Sequence, residues 1–349
     1  MAKRTTSKIP TPKQGDSVKL WRSVVWGGGT LLLFLAVPVV VFSVFMLRPC
    51  QITEPRQVII VSGQPLVAVA HTLHQQQLIS DPFFFRILAQ ARRLERQIQA
   101  GTYRFDGSYT PNQVLQILVA GRVELISCTF PEGVTALEIA KRCSASGLGT
   151  MQRYQQLMGD GEFRRQLHIG AASLEGYLFP ETYHFAPGVN EETVLKTMVQ
   201  QTRQHLSAEL LRSAKKLELD ELQLLTLASI IQKEAGNEEE MPLISAVFHN
   251  RLKRGMRLQA DPTVIYGLDA FDGNLTRKHL RSNTPYNTYV NAGLPRGPIA
   301  NPGLAALQAA VSPAPESYLY FVASGDGGHH FSRTLKEHNR AVRRYQLRR

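Results

Sequence analysis

The hydrophobic pattern opens on one long uncharged run. Val24 to Leu47 carries no charged side chain over 24 residues. As a helix with a rise of about 1.5 Å per residue it reaches roughly 36 Å, enough for the ~30 Å hydrocarbon core of a bilayer. Gly27, Gly28, Gly29 and Pro38 are poor choices in a water-soluble helix but are tolerated in lipid. The run is too long for the apolar part of a cleaved signal peptide, and Phe45-Met46-Leu47-Arg48-Pro49-Cys50 offers no small-residue cleavage site. Cys50 also lacks the small preceding residue of a lipidated cysteine. The pattern predicts a single-pass anchor at 24–47.

Beyond the anchor the pattern breaks into short elements. Val58–Val61 reads as a strand. Leu66, Val69, Ala70 and Leu73 recur at helical spacing and end near Leu78. Pro82–Arg93 predicts a second helix, and Gln99–Phe105 a turn and strand. This small α+β module reads equally as a LysM-like carbohydrate-binding fold or as a spacer. Pro111–Ala120 predicts a helix capped by Thr110, Val123–Phe130 a strand, Thr135–Cys143 a helix, and 150–167 two short helices. Ser173–Phe185 is dense in aromatics. Tyr177, Phe179, Tyr183 and Phe185 suit core packing or a sugar-stacking surface. Glu192–Leu219 reads mostly as amphipathic helix. Tyr318–Ala323 is a strand, Gly325–Gly328 turns it back, and Thr334–Arg344 is a basic helix.

The most informative stretch is Asp220–Ala235 (DELQLLTLASIIQKEA). Asp220 caps a helix on which Leu224, Leu227, Ile231 and Glu234 share one face, at i, i+3, i+7 and i+10. Glu234 therefore ends an apolar stripe. Desolvation there raises a carboxyl pKa, which suits a general acid. The competing reading is a last-turn Glu that pivots to solvent or pairs with an Arg. Gly236 terminates the helix. Asn237 and Glu240 form a capping box for the next, which runs through Met241, Ile244, Phe248 and Arg251 to Gly255. Three polar segments follow: Leu258–Gly267, Ser282–Tyr289 and the proline-rich Gly293–Gly303. Their Asn, Thr, Tyr and Asp side chains suit a hydroxylated, N-acetylated sugar, or simply turns.

Composition places the chain among globular proteins: 349 residues, 43% hydrophobic and 19% charged, long enough for two or three folded units. The net charge is +12, but residues 1–23 hold +5 and 333–349 hold +6, leaving +1 for everything between. Nucleic-acid readers spread their Lys and Arg over a folded face, so that class is disfavoured. The basic tail at 1–23 predicts a cytoplasmic amino terminus. Residues after about 50 then lie outside the cytoplasm, in the periplasm of a bacterium with two membranes. Cys128 and Cys143 are placed to pair or to stay free. No Cys/His spacing suggests a metal, and His329, His330 and His338 read as surface histidines.

The strings QAGTYRF, SLEGYLFPETY, LASIIQKEAG, ISAVFHNRL, LQADPTVIYG, TPYNTYVNAGLPRGPIANPG and YLYFVASGDGGHHFSRTLKEHN occur in order. Together they resemble the endolytic murein transglycosylase (YceG-like) family over nearly the whole chain. The resemblance implies an α+β protein: a cytoplasmic tail at 1–23, the transmembrane helix at 24–47, a LysM-like module at 54–108 and a YceG-like catalytic domain at 109–349. It implies a lyase that cleaves the MurNAc-β-1,4-GlcNAc bond of nascent peptidoglycan strands, leaves 1,6-anhydro ends and terminates strand elongation. No cofactor and no metal are implied. The expected surroundings are the bacterial inner membrane, the glycan strands and the penicillin-binding synthases, with no nucleic acid. Glu234 matches the last Glu of the family's EKE-type motif and is the expected acid and then base. Gln232 replaces the motif's first Glu, and Arg296 stands where the family often has proline. Asp261, Tyr286 and Asn287 are the expected substrate-binding residues, followed by Gln259, Thr263 and Tyr266. Two alternatives remain. A lysozyme-like muramidase needs a second carboxylate, with Asp261 or Glu175 as candidates. A glycan-binding scaffold without turnover draws on Gln232.

Overall fold

A computed structural model describes residues 36–347. The basic tail and the first part of the uncharged run lie outside the described residues. Helix α1 is seen over 36–47. No helix among the described residues is long and apolar enough to cross a membrane. The chain divides into two compact units, Met1–Glu124 and Leu125–Arg349.

The first unit continues with β1 (Cys50–Gln51), β2 (Arg56–Ile60), α2 (Leu66–Gln75), α3 (Pro82–Ala91), β3 (Gly101–Phe105), β4 (Ser108–Tyr109) and α4 (Pro111–Val119). β2 pairs antiparallel with β3, Arg56 opposite Phe105 and Ile60 opposite Gly101. β1 pairs with β4. α3 begins at Pro82 because Asp81 accepts from the backbone N–H of Phe83 and Phe84. α4 begins with a Thr110–Gln113 capping box. Val58, Leu73, Phe85, Tyr103 and Phe105 form the core, and the Tyr103 hydroxyl is satisfied by the Gln99 and Leu118 carbonyls. α4, expected to open the larger unit, belongs to the smaller one. Its Val114, Leu115 and Leu118 are fully buried in this core.

The larger unit contains β5 (Ile126–Thr129), α5 (Ala136–Ala145), α6 (Met151–Gly159), α7 (Gly161–Gln166), β6 (Thr182–Phe185), α8 (Glu191–His205), α9 (Ala208–Lys216), α10 (Glu221–Glu234), α11 (Met241–Lys253), α12 (Asp261–Tyr266), α13 (Arg277–Leu280), α14 (Leu304–Val311), β7 (Tyr320–Ala323), β8 (His329–Ser332) and α15 (Leu335–Tyr345). β5 pairs with β6 and β7 with β8, both antiparallel. The architecture is mixed α+β. The long amphipathic stretch at 192–219 is split, because Ser207 caps a new helix by accepting from Leu210 N–H. α14 carries no amphipathic signal: LAALQAAV is apolar almost throughout, and it packs along α10. Tyr177, Phe179, Tyr183 and Phe185 are all buried, so core packing wins over a sugar-stacking surface. Cys128 on β5 and Cys143 on α5 are buried free thiols, and burial pushes Cys143 up to about 12.

One side chain joins the aromatic segment to the proline-rich one. Asn301 is fully buried. Its Oδ1 accepts from Gly176 and Leu178 N–H at 2.9 and 3.0 Å. Its Nδ2 donates to Val134 O at 3.0 Å and to Glu175 Oε1 at 2.9 Å. Both ends of the amide are satisfied, as a buried polar group requires. Asn301→Ala strands several of these partners and is expected to cost about 3 kcal/mol or more in denaturant unfolding. A loss below about 1 kcal/mol would show that the two segments hold without it.

Candidate active site

α10 positions the candidate carboxylate. It starts with a capping box in which Asp220 accepts from Gln223 N–H and Gln223 reaches back. Every residue from Leu224 to Ile231 is buried, so the helix has no wet middle. The buried hydroxyls are paired: Thr226 donates to Leu222 O, and Ser229 donates to Thr226 O while accepting Ile299 N–H at 3.0 Å. Glu234 is the last helical residue. Ala235 leaves the helix in extended conformation, and Gly236 follows. Asn237 caps the short turn Glu238–Glu240 by accepting Glu240 N–H. The Glu240 carboxylate does not close the expected capping box. It grips the β7–β8 hairpin instead.

Glu234 opens onto a cleft of about 530 Å³ shared with Arg251, Gln259, Asp261, Tyr289 and His329. The strand Tyr320–Ala323 and one face of α15, including His338, complete its wall. Glu234 is half-buried here, and its pKa is pushed up to about 8. Desolvation is the largest cause, the negative charge of Asp261 adds to it, and Arg251 opposes it. Arg251 is buried with its fork turned to carbonyls: Nε donates to Leu319 O at 2.7 Å and Nη1 to Leu258 O at 2.8 Å. Its guanidinium lies 5.2 Å from the Tyr320 ring centre. Tyr289 donates its hydroxyl to Asp261 Oδ1 at 2.6 Å. Gln259 enters the cleft mouth with φ of 52°, a left-handed conformation uncommon outside glycine, and sits 3.4 Å from Arg251 Nη1.

Of the residues expected from the sequence, the cleft brings together Glu234, Asp261 and Gln259. The other four do not line it. Thr263 and Asn287 are fully buried. Thr263 Oγ1 bonds Ala260 O and, across to the next polar segment, Thr288 Oγ1, and Asn287 Nδ2 donates to Ser282 O at 2.7 Å, so both spend their polarity on holding the loops. Tyr266 donates to Glu175 Oε2 at 3.0 Å, and Tyr286 packs edge-on against Tyr266, 4.8 Å between ring centres. Glu175 itself is buried, caps α5 through Ala136 N–H, and is held by Asn301. Desolvation raises its pKa to about 7. It sits in a structural network, not in the Glu234 cleft.

Gln232 is also structural. Its Oε1 accepts Gly303 N–H at 3.0 Å, at the start of α14, and its side chain also meets Glu132. Arg296 lies at a separate cavity of about 830 Å³ near Asp220, at the opposite end of α10 from Glu234. It does not change the charge of the Glu234 cleft as a wall residue. Arg251, Tyr289 and His329 were missed as site residues. Arg251 had a signal, an Arg on the buried face that Ile244 and Phe248 mark, and Tyr289 lies three residues from Tyr286. His329 is not a surface histidine, because it faces inward from β8.

The model of the YceG-like family matches residues 58–344. An endolytic murein transglycosylase of Bacillus subtilis is 33% identical over 300 residues, covering 81% of this chain and 83% of that protein. An endolytic murein transglycosylase of Streptococcus pneumoniae is 27% identical over 312 residues, covering 80% of this chain and 56% of that protein. The crystal structure of a yceG-like protein from Listeria monocytogenes covers 83% of this chain and 99% of its own, with a TM-score of 0.58 and 31% identity.

The raised proton affinity of Glu234 has a consequence for stability. Between the ordinary 4.5 and about 8, the folded protein keeps a proton that the unfolded chain releases. Stability therefore falls as pH rises through that window. Glu234→Gln removes the penalty. Its melting temperature is expected to match the native chain near pH 4 and to exceed it by several degrees near pH 9. Parallel melting curves across the range would contradict the raised pKa.

Proposed function

The chain belongs to the YceG-like family, and we propose that it is an endolytic peptidoglycan lytic transglycosylase acting through Glu234. The observation that carries the reading is a carboxyl, desolvated enough to hold a proton at neutral pH, that lines a polar and aromatic cleft. The names of its Bacillus and Streptococcus relatives supply the substrate class.

The chemistry needs one carboxyl. Protonated Glu234 donates to the glycosidic oxygen between MurNAc and GlcNAc as the C1–O bond breaks. Positive charge develops on the muramyl C1 and ring oxygen. Asp261 supplies nearby negative charge to that state. The Glu234 carboxylate then takes the proton of the muramyl C6 hydroxyl, whose oxygen bonds to C1. The product is a 1,6-anhydro end, no water is consumed, and Glu234 is protonated again. A muramidase would instead need a carboxylate free to activate water. Asp261 accepts the Tyr289 hydroxyl through Oδ1 alone, and Glu175 is committed to α5 and Asn301, outside the Glu234 cleft.

The enzyme acts on nascent strands at the outer face of the inner membrane, beside the penicillin-binding synthases, and terminates their elongation. Val24–Leu47 anchors it, with the amino terminus cytoplasmic and the catalytic unit periplasmic. Support for the anchor is the uncharged run, the +5 tail before it, and the exposure of Val37, Val39, Val40 and Val44 on α1. The module at 54–108 binds glycan in a LysM-like manner.

Detergent-solubilised full-length chain on uncrosslinked glycan strands is expected to release fragments with anhydro-muramyl ends, and Glu234→Gln none above background. Hydrated ends in the mass spectrum would establish a muramidase, and no turnover by the native chain a scaffold. Above about pH 8 the native rate is expected to fall as Glu234 ionises. Gln232→Glu is expected to keep cleavage within about threefold of the parent, since position 232 serves α14 and not the cleft.

A further inference from the structure

The proposed chemistry gives no role to His329. His329 lines the same cleft as Glu234 and is only 14% exposed. Glu240 holds it twice: Oε1 accepts its backbone N–H at 2.7 Å, and Oε2 meets ring Nδ1 at 2.8 Å. Phe321 packs edge-on to the ring at 5.3 Å and Phe331 at 6.4 Å. The grip extends to the backbone. A Cβ on Gly236 would lie 2.3 Å from Gly327 O, and one on Gly328 2.8 Å from Glu240 Oε1. The hairpin turn is thus seated directly on the corner that follows Glu234.

A carboxylate oxygen only accepts, so Nδ1 of this imidazole carries a proton, and in the neutral ring the lone pair is on Nε2. Nε2 makes no hydrogen bond within the described residues and is not sealed from solvent. We infer that His329, fixed by Glu240, is a substrate-positioning residue whose Nε2 accepts a hydrogen bond from an acetamido N–H of the bound glycan. The inference takes its substrate class from the transglycosylase reading.

Glu240→Gln tests the polarity and not merely the grip. Glutamine has one acceptor oxygen. If it keeps the backbone N–H of His329, its NH₂ faces Nδ1, and the ring proton must move to Nε2. The full-length chain carrying Glu234→Gln serves as the non-cleaving parent, with uncrosslinked glycan strands as the probe. Calorimetric binding is expected to weaken about tenfold on adding either Glu240→Gln or His329→Ala, the loss of one hydrogen bond. Histidine ¹⁵N spectra are expected to show Nδ1–H in the parent and Nε2–H in Glu240→Gln. Should Glu240→Gln loosen the hairpin, His329→Ala decides alone. Binding within about twofold of the parent in His329→Ala overturns the inference, as does a parent ring protonated on Nε2. Either failure leaves glycan cleavage by the native chain intact. A native chain that neither binds nor cleaves glycan overturns the transglycosylase reading and the inference together.

Discussion

The desolvation of one carboxyl at the end of a buried helix is the constraint on which the larger unit turns. A surface helix keeps a polar face, and a Glu in its last turn can swing to water. α10 has no such face along Leu224–Ile231, because α14, α11, α9 and α12 pack around it. Glu234 is therefore delivered in a fixed direction by a rigid element. The treatment of Arg251 matters as much. A guanidinium paired two-fold with Glu234 would hold the carboxyl ionised and useless as an acid. Here the Arg251 fork donates to the Leu319, Leu258 and Arg257 carbonyls. Its charge tempers Glu234 without pairing with it.

The polar segments around the cleft are held by a few buried hydrogen-bonding groups. Asn301 joins the aromatic and proline-rich segments through Glu175, Gly176 and Val134. Ser229, in the middle of α10, accepts from Ile299 and so ties that same proline-rich segment to the helix carrying Glu234. Thr263 and Thr288 join the start of α12 to the loop bearing Tyr289. Each group is buried and satisfied, and each fixes backbone that would otherwise be free to move. The cleft residues themselves can then stay polar and partly exposed without losing their geometry.

The elements with strong local signals were legible in the sequence. Thr110 and Asp220 cap their helices as their residue types suggest, and the apolar stripe of α10 ends at Glu234. Elements defined by their neighbours were not. α14 shows no periodicity because it is apolar nearly all round, and α12 is a short turn of helix inside a segment that reads as loop. The same limit governed the site. Asn287 and Thr263 are the residue types that bind sugars, but they are also the types that satisfy loop backbones, and only the fold separates the two uses. His329 gave no local sign, because its partner Glu240 lies 89 residues away in the chain.

Retention of the Glu234 proton at neutral pH is open to direct measurement. Carboxyl ¹³C resonances of the full-length chain, labelled at glutamate and assigned by loss of one signal in Glu234→Gln, measure this directly. The Glu234 signal is expected to titrate with a midpoint near 8. A midpoint in the ordinary carboxylate range near 4.5 would contradict it, because the group would then be ionised before any glycan arrived.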